Sequence, residues 1–113
     1  MNLLGYWVSK ECYNAKLFID KVIEFIDKNQ VVIYSYFDRG KDIYPYAVLE
    51  STDKYITILV QDSLNIPNKL EFVDENEVKF LSTSNENTYV HLSRISEQDA
   101  LPFIEIIENH ALY

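Results

Sequence analysis

Apolar and polar residues alternate with two different periods along this chain, and each change of period marks an element. From Leu3 to Val8 the period is two, with Leu3, Gly5 and Trp7 on one face and Leu4, Tyr6 and Val8 on the other, which predicts a first strand. Between Asn14 and Lys28, residues Ala15, Phe18, Val22, Phe25 and Ile26 recur at helical spacing. This predicts an amphipathic helix with Asn14 as N-cap, Asn29 as terminator, and Lys16, Asp20, Glu24 and Lys28 on its solvent side. β-Branched and aromatic residues dominate from Val31 onward. Strands are expected at Val31 to Phe37, Ile43 to Leu49, Tyr55 to Val60, Lys69 to Val73, Glu77 to Leu81 and Thr88 to Ile95. Turns are expected at Asp38 to Lys41, where Gly40 supplies a positive φ, and at Ser82 to Asn87, with a longer loop at Asp62 to Asn68. Pro45 cannot donate to a ladder, so its strand is expected at an edge or a bulge.

After Ser96 the pattern is helical again, with Ala100, Phe103, Ile104, Ile107 and Ala111 on one side. A cap at Asp99 places Pro102 in the first turn, where its missing N–H is tolerated. The fold class is therefore α+β, mainly antiparallel β. About seven strands form a meander that curls into a barrel or a strongly bent sheet, with one helix after the first strand and one at the C-terminus. No linker composition interrupts the pattern, so residues 1–113 read as a single domain.

Composition narrows the functional classes. At 48% hydrophobic and 14% aromatic residues, the chain has enough apolar surface to offset its ordering entropy. Cys12 is the sole cysteine, which fits a reducing compartment, and the N-terminus shows neither a basic leader nor a long apolar run. A cytoplasmic protein without a membrane anchor is expected. The formal net charge of −8 falls wholly within residues 50–113, a balance that repels phosphate backbones and sets a nucleic-acid partner aside.

Motifs for chemistry are sparse. Cys12, His91 and His110 lack metal-ligand spacing, and Gly5 and Gly40, the two glycines, cannot build a phosphate loop. Asp74-Glu75-Asn76-Glu77 reads as a polar turn, and no Ser or Cys sits in a nucleophile motif. No metal, cofactor or catalytic residue is therefore assigned. Tyrosine is the unusual feature. Tyr34 and Tyr36 share one strand face, and Tyr44 and Tyr46 share another. Facing into a barrel, their rings would line a small-molecule site; facing outward, they would make cross-strand aromatic pairs on a half-exposed sheet.

The segment Gly5-Tyr6-Trp7 resembles the Gly-x-Trp signature on the first strand of lipocalin-like barrels, the calycin group. The resemblance implies that Trp7 closes one end of the barrel and that an Arg from the last strand packs across its ring. Arg94, on the face of Val90 and Leu92, is the matching position. It further implies that the helix over Asn14 to Lys28 caps the open end, as the helical lid does in fatty-acid-binding relatives. Seven strands in place of eight, and a full helix directly after the first, depart from the family pattern.

Two functions are expected from these readings. One is a non-catalytic binding protein holding an apolar or aromatic small molecule among Trp7, Tyr34, Tyr36, Tyr44, Tyr46 and Arg94. The other is an acidic inhibitor or immunity-type protein that docks a basic protein partner.

Overall fold

Ser9 ends the first strand by turning its hydroxyl onto the chain ahead: Ser9 Oγ accepts the Cys12 N–H at 3.4 Å and caps a single helical turn. The computed structural model describes residues 2–38, 40–62, 66–82 and 85–111. In chain order the elements are β1 (Gly5–Ser9), α1 (Lys10–Asn14), β2 (Lys21–Phe25), β3 (Gln30–Ser35), β4 (Gly40–Ser51), β5 (Tyr55–Val60), β6 (Pro67–Asp74), β7 (Glu77–Ser82), β8 (Asn85–Ile95) and α2 (Glu97–Ala111). The eight strands pair antiparallel with their chain neighbours, and β1 pairs with β8 to close a barrel.

The barrel, a helix after the first strand and a C-terminal helix agree with the sequence pattern, but the first helix is Lys10–Asn14 capped by Ser9, not Asn14 to Lys28 capped by Asn14. Residues predicted as one helix from Asn14 to Lys28 divide into the end of α1, an extended segment, and β2. The reason is double burial. Val22 packs outward beneath α2, while Phe25 packs inward with Ile23 against the interior core. A strand buried on both faces loses its alternation, and Val22, Phe25 and Ile26 then imitate helical spacing. Asp27 to Asn29, read as a helix end, is a hairpin turn. Asp27 Oδ1 accepts the N–H groups of Asn29 and Gln30 at 2.7 and 2.8 Å. This extra strand raises the count from seven to eight.

Two further details differ. Pro45 lies in a closed barrel rather than at an edge. Tyr46 N donates to Asn29 O at 2.8 Å, which makes Gln30↔Pro45 a non-hydrogen-bonded pair, so β3 needs no donor from Pro45. At the C-terminal helix, Ser96 rather than Asp99 is the cap: Ser96 Oγ accepts the Asp99 N–H at 3.1 Å. Pro102 therefore sits inside α2. Gly40 has the expected positive φ, +131°. The turns predicted at 38–41 and 82–87 and the loop at 62–68 extend in part outside the described residues.

The core has two layers. Inside the barrel, Leu3, Trp7, Phe25, Val31, Tyr46, Ile56, Ile58, Leu70, Val78 and Leu92 form one buried cluster. Outside it, Val8, Val22, Val32 and Tyr34 pack beneath Ala100, Ile104 and Ile107 of α2. The helix thus covers the outer face of β1 to β3, and those strands are buried on both sides.

Candidate ligand site at the barrel mouth

Trp7 and Arg94 close one end of the barrel. Trp7 is wholly buried, its Nε1 donates to Leu3 O at 2.7 Å, and the Arg94 guanidinium lies 4.5 Å from the ring centroid. The same guanidinium donates to three backbone carbonyls, those of Asn2, Leu4 and Glu75. Burial lowers the Arg94 pKa, an effect that the nearby Glu75 carboxylate opposes. Gly5 makes this arrangement possible. Its φ is +118°, and a Cβ there would sit 3.4 Å from Arg94 Nη1.

The four strand tyrosines do not gather around one volume. Tyr46 is inside, packed edge-on against Phe25 at 5.4 Å, with its hydroxyl donating to Asp27 O at 2.7 Å. Tyr44 packs partly buried against the same interior cluster. Its hydroxyl pKa is raised, by burial first and by Asp42 and Asp62 next. Tyr34 and Tyr36 instead belong to the outer layer. The Tyr34 hydroxyl donates to Glu24 at 3.0 Å, and the Tyr36 ring stacks on His110 at 3.8 Å. They alternate along β3 with Val31, Ile33 and Ser35, which take the inward positions. The outward face is apolar too because α2 covers it, so alternation alone cannot say which face is inside.

The other end of the barrel holds a cavity of about 190 Å³. Trp7 and Leu92 form its floor, Ile19 and Ile23 one wall, and Ser9, Cys12, Asp20 and Lys21 bring polar atoms to its rim. Val90 shares the inward face with Leu92 but stands at the opening, 49% exposed, rather than in the core beside it. Ile58, Leu70 and Val78 are buried in the same interior cluster as Trp7 and Leu92. Of the six residues expected to bind a ligand, Trp7 alone lines the cavity; Arg94 supports it from below. Ile19 and Ile23 were hidden by the helical reading of 14–28, and Cys12 carries no motif.

A polar cluster ties α1 to the outside of the barrel. Glu77 accepts from Lys10 and lies 3.0 Å from His91 Nδ1, and these hydrogen bonds hold its carboxyl below the usual carboxylate range. Glu77 is the first residue of β7, where the sequence pattern also starts a strand. Among the described residues, no group of three or more His, Cys, Asp or Glu is arranged to hold a metal ion, and no helix is long and apolar enough to cross a membrane. Comparison with protein-family models, with curated proteins and with solved structures gives no match to this chain.

Proposed function

We propose that this protein is a non-catalytic binding protein of the lipocalin-like kind, and that it takes one small, flat, apolar or aromatic molecule into the barrel mouth. The observation that carries this reading is the cavity of about 190 Å³ above Trp7, apolar at its base and polar at its rim. Convergence of a few polar groups on an apolar pocket is the usual form of a small-molecule site. The Gly5-x-Trp7 segment on β1, the Arg94 guanidinium across the Trp7 ring and the closed eight-stranded barrel support the family reading.

Size limits the ligand. Pockets for drug-sized ligands measure about 300 to 1,000 Å³, whereas an apolar cavity of roughly 150 Å³ accepts benzene. The mouth therefore suits a one- or two-ring compound, with any polar substituent directed to Ser9, Asp20 or Lys21.

The test is a titration with indole, naphthol and benzoate, followed by Trp7 fluorescence and by thermal unfolding. Binding quenches or shifts the Trp7 emission and raises Tm with ligand concentration, as linkage requires. Val90→Phe narrows the mouth and abolishes both signals without unfolding the barrel. A panel that moves neither signal would overturn the reading.

A further inference from the structure

The rim of the mouth cavity carries two charged residues, Asp20 and Lys21, which are neighbours in the chain. Consecutive residues of a strand point to opposite faces, so the ladder decides which charge belongs to the cavity. Lys21 pairs with Ser35; Val22, next along β2, lies in the outer layer beneath α2, and Ile23 packs against the interior core. Lys21 therefore shares the inward face of Ile23. Asp20 continues the same ladder by one residue, because Tyr36 N donates to Asp20 O at 2.8 Å. Tyr36 packs with the outer layer, and residues opposed across a ladder share a face, so the Asp20 carboxylate is directed to that outer side.

Ser9 stands on the inward face as well. It pairs with Leu92, a member of the interior cluster, and lies two residues beyond Trp7 on β1, as Lys21 lies one inward position beyond Ile23 on β2. Both residues line the cavity. Ser9 Oγ accepts the Cys12 N–H, which leaves the hydroxyl proton to be donated elsewhere. Lys21 has three N–H donors and, among the described residues, no carboxylate within ion-pair distance; Lys10 and His91 both pair with Glu77. Of the acids on neighbouring strands and turns, Asp38 accepts from the Ser35 hydroxyl at 3.1 Å, and Asp42 and Asp62 act on Tyr44, which is not part of the cavity wall. The interior side of the rim thus offers hydrogen-bond donors and one positive charge above the apolar floor of Trp7 and Leu92.

We propose that the mouth selects an aromatic carboxylate, with its ring on Trp7 and Leu92 and its carboxylate held by the Lys21 ammonium and the Ser9 hydroxyl. This inference rests on the binding function proposed above and narrows its polar rim to these two residues. A carboxylate accepts charge-assisted hydrogen bonds from both donors; a neutral amide of the same shape accepts weaker ones, and an amine meets Lys21 as a like charge. The chain carries −8 as a whole, so an anion gains nothing from the overall field and depends on this local pair.

Naphthoate, naphthamide and naphthylmethylamine share one ring system, differ in charge, and test the assignment. Calorimetric titration of the full chain at neutral pH is expected to give naphthoate at least about fivefold tighter binding than naphthamide, with the amine weakest. Lys21→Gln is expected to abolish the difference between naphthoate and naphthamide, and Lys21→Glu to reverse the order in favour of the amine. Lys21 is exposed, so circular dichroism is expected to stay unchanged in both variants. Asp20→Asn is expected to retain the preference for naphthoate. On the unsubstituted protein, nuclear Overhauser contacts are expected between the naphthoate ring and the Trp7 and Leu92 side chains. Naphthamide binding as tightly as naphthoate, a preference that survives in Lys21→Gln, or one that depends on Asp20 would overturn this inference and leave a binding protein in place. Failure of all three compounds to bind would overturn the binding function itself, and the inference with it.

Discussion

Arg94 on the last strand faces Trp7 on the first across the β1–β8 ladder, and its guanidinium lies over the indole ring at 4.5 Å. The pair joins the seam of the barrel to its floor. Arg94 also gathers the carbonyls of Asn2, Leu4 and Glu75, so it fastens the N-terminal segment and the β6–β7 turn to the same point. A planar group with several donors can do this while stacking; an ammonium cannot.

Arg94→Lys keeps the charge and loses the fan of hydrogen bonds together with the stack. The expected cost is about 2 to 3 kcal/mol, from a cation–π contact of ~0.5 to 2 kcal/mol and charged hydrogen bonds of ~1.5 to 3 kcal/mol that a single ammonium replaces only in part. Urea unfolding measures it as a lower midpoint with an unchanged slope. A midpoint equal to that of the parent protein would show that the pair does not stabilise the closed end.

Glu77 makes stability depend on acid. Hydrogen bonds from Lys10 and His91 lower its folded-state pKa, so the contribution is present above the unfolded carboxylate pKa and is lost as pH falls through the folded value. Stability profiles between neutral pH and about pH 3 are expected to fall less steeply for Glu77→Gln than for the parent protein. Coincident profiles would show that the α1 contact contributes nothing on the acid side.

Alkali acts on the outer face of β1 to β3. Burial, then the Glu24 hydrogen bond, raises the Tyr6 hydroxyl from its ordinary value to about 12 and Tyr34 higher still. A raised folded-state pKa means that the contribution is intact below pH 10 and is lost as pH rises through the folded values. Ultraviolet titration is expected to show these two tyrosines ionising together with unfolding, after the exposed ones. Their ionisation at the ordinary pKa, with native circular dichroism retained, would contradict the described Glu24 contacts.

The sequence pattern carries the barrel from Val31 onward because each of those strands sits between short turns. It also points to the closed end, since Gly5, Trp7 and Arg94 are each unusual where they stand. It fails at β2. Val22 is covered by α2 and Phe25 lies in the barrel, and burial on both faces erases the period that identifies a strand. The same second layer reverses the sense of Tyr34 and Tyr36, whose outward face is as apolar as the inward one. The mouth was hidden for a related reason, because Ile19 and Ile23 reach it only once β2 is extended. Leu17, Phe18 and Phe37 could not be recognised as surface residues, since a local pattern records apolarity and not what covers it.

Closure by β1 and β8 has a consequence for how the chain is made. Trp7 pairs with Arg94, so the seam joins positions at nearly opposite ends of the described sequence. A ribosome at ordinary elongation rates needs roughly 5 to 20 s to add each hundred residues, and during that interval β1 has no β8 to meet. Local hairpins from β2 to β7 can form as they emerge, but the first strand retains an unpaired edge until the last one arrives. Such high contact order makes the final step slow compared with hairpin formation. Before β8 is made, residues 50–82 already carry seven carboxylates against three lysines, and this like-charged surface opposes edge-to-edge association while the seam is still open.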